Sequence, residues 1–501
     1  MKADKIIING RCQTMNDAEV VDWIAIKADK ILATGSADEY KEYQNKETEI
    51  IDAKGGTVSP GFIDSHFHMV QTAVNSTCVD LSKVTSFDEI GELIIKYAKE
   101  YPEKEIQGIR LDVDNLKEKR FPSRHDIDKY WDKTPVWINN MTYQMSGLNT
   151  YGILYFKIPF STLGVECDEK MVPTGIFTGN ANAKLRANIL NAVSDFYKQN
   201  AIESIMDDLA SKGITTVNAV EGGYMYSDRD AEFINALINR KDVYLDMELF
   251  FQTLDIERII RMGLKRIGGC LYVDGTFGVR KAALSFDYAD AQGERGILRF
   301  TQEKLNEFVE ECYRRNLQLA LYTIGDRAIA LAINAHERAV ELTGNTSLRH
   351  RLEHAELPSK EHIEKIKKLK LILSVKPTYE YYWGGKGKMY EERLGDKYLE
   401  TNPFRYLLDQ GVILCSGSDS DVLPCLPMLS LYSAVNRPVP KHNVTLYEAL
   451  EMMTSSSAYA IFKDDSKGYL KKGYLADIVI ISEDIFKMDK KDISEAKVTM
   501  T

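Results

Sequence analysis

Eight short apolar, β-branched runs alternate with helix-like segments along this 501-residue sequence, and this alternation restricts its fold more than any other feature. The runs lie between Val58 and Asp419 and read VSPGFIDSHFH, GITTVNAV, VYLDMELFF, GGCLYVDG, LQLALYTIG, RHRLEHAE, LILSVKP and GVILCSGSD. Capping boxes that start at Ser86 and Thr445 mark helices among the segments between and after the runs. Strands that alternate with helices pair in parallel, and eight such units close into a barrel. We therefore expect an α/β fold with a (β/α)8 TIM-type barrel.

Further β-like runs lie at the two ends of the chain. The first part contains KIIING, DWIAIKADKILATG and EIIDAKGGTVSPG, and the last part contains GYLKKGYLADIVIIS. We expect residues 1–57 and 466–501 to form one small β-sandwich domain and residues 58–465 to form the barrel. The connection from about residue 70 to 200 is too long for a simple βα loop, and we interpret it as a lid inserted after the first barrel strand. The β-like run TPVWINNMT lies within this insertion.

Polar residues close several of the predicted barrel strands, where a TIM barrel carries its active site. These residues are His66, His68, Asp274, Tyr322, His354 and Asp419. Residues i and i+2 of a strand share a face, so His66 and His68 are expected to point the same way. Two adjacent imidazoles suit a divalent metal, although a pair of solvated or core histidines is the alternative for this motif alone. The convergence of these histidines with His354 and Asp419 favours a metal site.

Composition and charge exclude several classes of protein. A net charge of −10 argues against a nucleic-acid partner. No apolar stretch approaches the ~20 residues that span a bilayer, and the beginning, MKADKIIING, lacks the apolar region and cleavage site of a signal peptide. The seven cysteines are scattered without a C-x-x-C motif, which does not suit a disulfide framework. We expect a protein of the reducing cytoplasm without a membrane partner.

Seven sequence words connect these observations to a known family. SPGFIDSHFH, YVDGTFGVRKAAL, IGDRA, RHRLEHAE, SVKPTY, GSDSDV and KGYLKKGYLADIVII occur in the family's order and extend over nearly the whole chain. The sequence thus resembles the amidohydrolase superfamily, specifically the amidohydrolase-3 group of YtcJ-like enzymes and N-substituted formamide deformylases. The resemblance implies a metal-dependent hydrolase in which His66, His68, His354 and Asp419 match metal ligands. It further implies that Asp419 holds the metal-bound water and moves its proton to the leaving nitrogen.

The chain departs from the family pattern at positions that matter for the metal. Tyr322 stands where the group usually has histidine, and Cys270 stands where it usually has lysine. Because two-metal members need that lysine and that histidine, we expect one ion, with zinc ahead of iron and manganese. Cys270 could bind it as a thiolate, and simple packing in the barrel is the alternative. Lys281 replaces a common threonine and, with Arg280, could favour an anionic substrate; a lysine that faces solvent is the alternative.

Our leading hypothesis is an amidohydrolase that cleaves a non-peptide C–N bond in a linear amide or N-acyl small molecule. We assign catalytic roles to Asp419 as general acid and base, to His354, and to Tyr322, whose phenol would stabilise the oxyanion together with the metal. The alternatives are a catalytically impaired barrel that binds a small molecule and a hydrolytic deaminase. The sequence leaves the oligomeric state open, and a homodimer is compatible with it.

Overall fold

A computed structural model of the chain describes residues 1–17, 19–223, 227–238, 240 and 243–501. The chain divides into two compact units. The first comprises Met1–Phe67, Met206–Val220 and Asn235–Thr501, and the second comprises His68–Ile205 and Glu221–Ile234.

Within the described residues, the β-strands in chain order are β1 (Lys5–Ile8), β2 (Arg11–Gln13), β3 (Val20–Val21), β4 (Trp23–Lys27), β5 (Lys30–Gly35), β6 (Glu49–Asp52), β7 (Thr57–Pro60), β8 (Phe62–Phe67), β9 (Val79–Asp80), β10 (Ile106–Leu111), β11 (Val136–Asn140), β12 (Met145–Leu148), β13 (Val165–Cys167), β14 (Pro173–Thr178), β15 (Ile214–Glu221), β16 (Asp246–Phe251), β17 (Arg266–Tyr272), β18 (Gln318–Thr323), β19 (Arg351–His354), β20 (Ile372–Val375), β21 (Leu414–Ser416), β22 (Ile478–Ile481) and β23 (Val498–Met500).

The α-helices of the same residues are α1 (Met69–Asn75), α2 (Phe87–Glu100), α3 (Arg124–Asp128), α4 (Thr150–Phe156), α5 (Gly179–Ala192), α6 (Asp195–Ser211), α7 (Asp228–Ile238), α8 (Ile256–Arg261), α9 (Gln302–Arg314), α10 (Asp326–Thr343), α11 (Lys360–Leu369), α12 (Pro377–Trp383), α13 (Met389–Leu394), α14 (Phe404–Asp409), α15 (Pro427–Val435), α16 (Leu446–Met453) and α17 (Ser455–Ala460). Short 3-10 helices span Ala37–Glu42, Val113–Asn115, Gly395–Glu400, Pro440–His442 and Lys490–Glu495. No helix among the described residues is long and apolar enough to cross a membrane.

An eight-stranded sheet forms the centre of the first unit. Its strand order is β21-β20-β19-β18-β17-β16-β15-β8, so each strand lies beside the next one in sequence. The two outer strands also meet, because Phe67 and Ser420 form a parallel bridge and the Asp419 amide donates to the His66 carbonyl at 3.0 Å. Each of the eight predicted runs overlaps one of these strands. The predicted TIM-type barrel is thereby confirmed.

Two smaller sheets at the chain ends belong to the first unit. One has the order β5-β4-β1-β6, and the other has the order β23-β22-β7-β2-β3, which joins the end of the chain to its beginning. Ile7, Ile24, Val58 and Ile480, which come from both sheets, lie in a single apolar cluster. This arrangement follows from alternation along the strands, since every second side chain faces the same side. The β-sandwich interpretation and its boundaries stay predictions.

The second unit contains a six-stranded sheet of its own. Its order is β13-β14-β12-β11-β10-β9, and β11 lies within the run TPVWINNMT. Ser86 is the N-cap of helix α2, and its side chain accepts a hydrogen bond from the Glu89 amide, as predicted. The Glu89 carboxylate accepts from the Thr85 amide instead of the Ser86 amide, so half of the predicted capping box forms. Its residues Ile90 and Ile94 pack in one apolar cluster with Ile138 of the sheet. The insertion is therefore a folded unit, and its role as a lid stays a prediction.

Candidate active site

The residues predicted to carry the chemistry lie at the ends of four barrel strands. His66 is the penultimate residue of β8, Cys270 lies in β17, His354 ends β19, and Asp419 follows β21. Each of the four is between 0% and 3% exposed. The carboxyl ends of the parallel strands of a barrel lie at the same face, so residues at these ends come close to one another.

Four side chains offer possible metal-binding atoms that all lie within 4.8 Å of one another: His66, His68, Cys270 and Asp419. The His66 Nε2 atom lies 3.3 Å from the Cys270 Sγ atom and 3.1 Å from the Asp419 Oδ1 atom. Two ligand atoms of a tetrahedral zinc ion, each about 2.0–2.3 Å from it, are about 3.3–3.8 Å apart. The spacing and chemistry of these donors fit a divalent ion.

His354 lies beside this group with both ring nitrogens buried. Its Nε2 atom is 3.7 Å from the Asp419 Oδ2 atom, and its Nδ1 atom is 3.5 Å from Glu356 Oε1. Among the described residues neither nitrogen makes a hydrogen bond, which is unfavourable for a buried polar group. Burial, assisted by Lys376, lowers the pKa of His354 well below its usual value, so the ring is neutral. A neutral imidazole is the form that binds a metal.

Cys270 satisfies both interpretations that its sequence position leaves open. Its side chain belongs to an apolar cluster with Ile63, Phe250 and Tyr322, as expected for a packed cysteine. Its Sγ atom also belongs to the group of possible metal-binding atoms. The position of the sulfur is compatible with both interpretations, and Cys270 as a ligand stays a prediction.

Glu353, a buried acidic residue in contact with His66, was not predicted from the sequence. The His66 Nδ1 atom is 2.6 Å from Glu353 Oε2, and Glu353 also pairs with Arg351 and Lys376. Burial tends to raise the pKa of Glu353, but Arg351, His66 and Lys376 outweigh it and hold that pKa below the usual range. Burial and Lys376 tend to lower the pKa of His66, but Cys270, Asp419 and Glu353 together raise it to about 10.

Two tyrosines face the predicted ligands. The Tyr322 ring lies 4.5 Å from the His354 ring, between ring centroids, and the Tyr379 hydroxyl donates a hydrogen bond to the Asp419 Oδ2 atom. Burial raises the pKa of both tyrosines well above the usual value, so both hydroxyls keep their protons. Tyr322 was predicted, whereas Tyr379 was missed, although it ends the word SVKPTY.

Asp274, another polar residue that follows a strand, holds loops together. Its Oδ1 atom accepts a hydrogen bond from the Ile324 amide at 3.0 Å. Its Oδ2 atom accepts from the amides of Gly325 at 2.8 Å and Ala283 at 2.9 Å. These bonds tie the segment after Tyr322 to the loop that follows β17.

The backbone of the site is strained at two of the predicted ligands. His354 and Asp419 have φ values of 68° and 57°, in the left-handed region. Residues other than glycine occupy this region at a cost of about 1–3 kcal/mol, and such strain clusters at functional sites. His354 is the last residue of β19 and Asp419 lies beyond β21, so the backbone leaves the extended conformation at both residues.

The two residues of the predicted basic pair, Arg280 and Lys281, make different contacts. Arg280 forms a salt bridge with Asp290, with Nε and Oδ1 3.0 Å apart. Lys281 is half-buried, and its backbone amide donates to the Thr276 carbonyl at 2.9 Å. Asp290 also pairs with Arg393, at 2.5 Å, so this one carboxylate is shared by two arginines. The preference for an anionic substrate stays a prediction.

Comparison with known proteins agrees with this geometry. The sequence profile of the amidohydrolase family (Amidohydro_3) matches residues 49–501. YtcJ of Bacillus subtilis, which carries an amidohydrolase name, is 24% identical over 97% of this chain and 96% of its own length. The N-substituted formamide deformylase of Arthrobacter pascens is 23% identical over 99% of this chain and 97% of its own. The crystal structure of an uncharacterized metal-dependent hydrolase from Pyrococcus furiosus superposes with a TM-score of 0.75 and 26% identity, covering 95% of this chain and 98% of that one. The chain therefore belongs to the amidohydrolase family, a family of metal-dependent hydrolases.

Proposed function

We propose that this protein hydrolyses a non-peptide C–N bond in a linear amide or N-acyl small molecule. The observation that carries the proposal is the group of four buried ligand atoms within 4.8 Å of one another at the ends of the barrel strands. The likeness to YtcJ and to the N-substituted formamide deformylase supports an amide substrate.

One divalent ion, with zinc ahead of iron and manganese, would be held by His66, His68, Cys270 and Asp419, with His354 at its edge. When bound, such an ion supplies a Lewis acid and lowers the pKa of water beside it to about 7. The thiolate of Cys270 would supply the negative charge that the family's lysine supplies when it is carboxylated. A single ion is consistent with Tyr322, because a phenol with a raised pKa is a poor ligand.

Asp419 is the general base and then the general acid of the proposed reaction. Its carboxylate takes a proton from the attacking water as the water oxygen bonds to the carbonyl carbon. The same proton then passes to the leaving nitrogen as the C–N bond breaks, which yields a carboxylic acid and an amine. The hydrogen bond from Tyr379 holds the Oδ2 atom, so the carboxylate keeps one orientation through both transfers.

Tyr322 is the proposed donor to the oxyanion that forms on the carbonyl oxygen. Its side chain is only 3% exposed, and its hydroxyl is protonated because burial raises its pKa. The centroid of its ring lies 4.5 Å from the ring centroid of Tyr272 and 4.5 Å from that of His354. A donor that is oriented before the reaction stabilises developing charge without reorganisation.

The finer features of the proposal concern the rest of the chain. We assign the two terminal sheets to a β-sandwich and the second unit to a lid that controls substrate entry. We place the protein in the cytoplasm, acting on a small molecule rather than on nucleic acid or a membrane. A homodimer is compatible with these assignments.

The test is a substrate panel with metal-loaded protein and the Tyr322→Phe variant. The panel contains N-substituted formamides, longer N-acyl amines, and aminopyrimidines or amidines as substrates for a deaminase. Release of amine and acid from the amides supports the proposal. Release of ammonia from the ring compounds assigns a deaminase instead. Tight binding without turnover assigns a small-molecule binding protein instead. The presence of Cys270 where the family usually has lysine favours that alternative.

A further inference from the structure

We propose that Glu353 is a positioning residue for the metal centre. Its buried carboxylate would hold the His66 ring in the one orientation and tautomer that turns Nε2 toward the ion. The inference rests on the metal site of the proposed function and concerns a residue that does not itself bind the metal.

The geometry around His66 separates the tasks of its two nitrogens. The Nδ1 atom is 2.6 Å from Glu353 Oε2, a short hydrogen-bond distance. The Nε2 atom faces Cys270 Sγ at 3.3 Å and Asp419 Oδ1 at 3.1 Å. An imidazole that donates its Nδ1–H to a carboxylate leaves the lone pair of Nε2 for a metal, and the carboxylate makes that nitrogen a stronger ligand.

Glu353 is itself held rigidly. The Arg351 Nε and Nη2 atoms lie 2.8 Å and 2.7 Å from its Oε1 atom. The Lys376 Nζ atom lies 3.5 Å from Oε2 and donates to the Ser374 carbonyl at 2.9 Å. Both carboxylate oxygens are therefore engaged, and Glu353 cannot turn away from His66 without breaking an ion pair.

The cost of this arrangement argues for a purpose beyond stability. Arg351, Glu353 and Lys376 are each between 0% and 2% exposed. Buried ion pairs usually stabilise a fold no better than apolar side chains of the same size. The competing explanation is a structural one, in which Arg351 joins β19 to β8 through the Ser65 carbonyl. That explanation predicts lower stability without a change in metal affinity.

The first test is zinc affinity, measured on the metal-stripped full chain by competition with a chromophoric chelator. Glu353→Gln keeps the size of the side chain and one acceptor oxygen but removes its charge. We expect its zinc affinity to fall about 10- to 100-fold, as for other carboxylates that orient a metal-binding histidine. Affinity equal to that of the native chain overturns the inference.

The matched control is Glu380→Gln. Glu380 is also 1% exposed and pairs with a buried arginine, Arg437, at 3.3 Å. Its contacts include Thr401 and Asn402 but not His66. We expect this variant to lose stability and to keep native zinc affinity. An equal loss of affinity in both variants would assign the effect to buried charge in general and overturn the inference.

A spectroscopic measurement on the native chain covers the case in which Glu353→Gln does not fold. Histidine labelled with ¹⁵N gives separate signals for the two ring nitrogens, and His66→Gln identifies those of His66. We expect a protonated Nδ1 and a metal-bound Nε2 in the zinc-loaded protein. The opposite assignment overturns the inference while leaving the metal site intact. A native chain that binds no zinc overturns the metal site itself, and the inference with it.

Discussion

Replacing Asp274 by asparagine tests how the fold holds the loop that follows Tyr322. Both carboxylate oxygens accept backbone N–H groups, from Ile324 on one side and from Gly325 and Ala283 on the other. Asparagine has one acceptor oxygen, so its NH2 group must face at least one of these donors. Burial raises the pKa of Asp274 to about 7, so the comparison is made at about pH 9, where the carboxylate is charged. A buried N–H without a partner then costs about 1–3 kcal/mol, and the two remaining bonds each lose about 1 kcal/mol of charge assistance. We therefore expect the free energy of unfolding of Asp274→Asn to be about 3–5 kcal/mol lower than that of the native chain.

The assay combines the urea midpoint with hydrogen exchange of the three backbone amides that Asp274 accepts from. Their exchange should accelerate in Asp274→Asn, together with a lower midpoint. Asp326→Asn is the control, because the half-buried Asp326 accepts a single backbone bond, from Ser285 at 3.0 Å, and its loss should cost about 1 kcal/mol or less. Equal midpoints and unchanged exchange in the two variants would refute the account of this loop.

Three further predictions concern the tyrosine donor, the sulfur ligand and acid stability. Tyr322→Phe should lower kcat about 10²- to 10³-fold with little change in KM or metal content, and a kcat near the native value would exclude the oxyanion role. Cobalt-loaded protein should show a thiolate charge-transfer band that Cys270→Ser loses and that Cys415→Ser, a change at another buried cysteine, keeps. Burial lowers the pKa of His336 from 6.5 to about 3, so the stabilisation by its neutral ring is full above pH 6.5 and is lost as the pH falls towards 3. At pH 5 the unfolding free energy should be about 2 kcal/mol lower on this account, and His336→Gln should reduce that loss in a urea titration.

The barrel was predictable because its buried strands are continuous apolar runs in the sequence. The strand β18, for example, is buried along its whole length, and its run LQLALYT is apolar enough to show this in the sequence. The separate sheet of the second unit was not predicted, because strands as short as Val79–Asp80 leave no periodic signal.

The site was predictable where one residue type at a strand end implies one chemistry, as for His66 and Asp419. Glu353 was not predicted, although the sequence contains a signal for it. In the buried strand β19, Arg351 and Glu353 alternate with Leu352 and His354, and two opposite charges on one face of a buried strand indicate an ion pair. Tyr379 depends on how helix α12 approaches Asp419, and no local pattern encodes such a tertiary contact.

The most direct test of the metal centre is the metal content of the chain, purified without chelators or a histidine tag and measured by mass spectrometry. His66→Ala/His68→Ala is the comparison variant. The proposed centre predicts about one tightly bound ion per native chain and its loss in the variant. A native chain that holds no ion, even after incubation with zinc, iron and manganese, would contradict it.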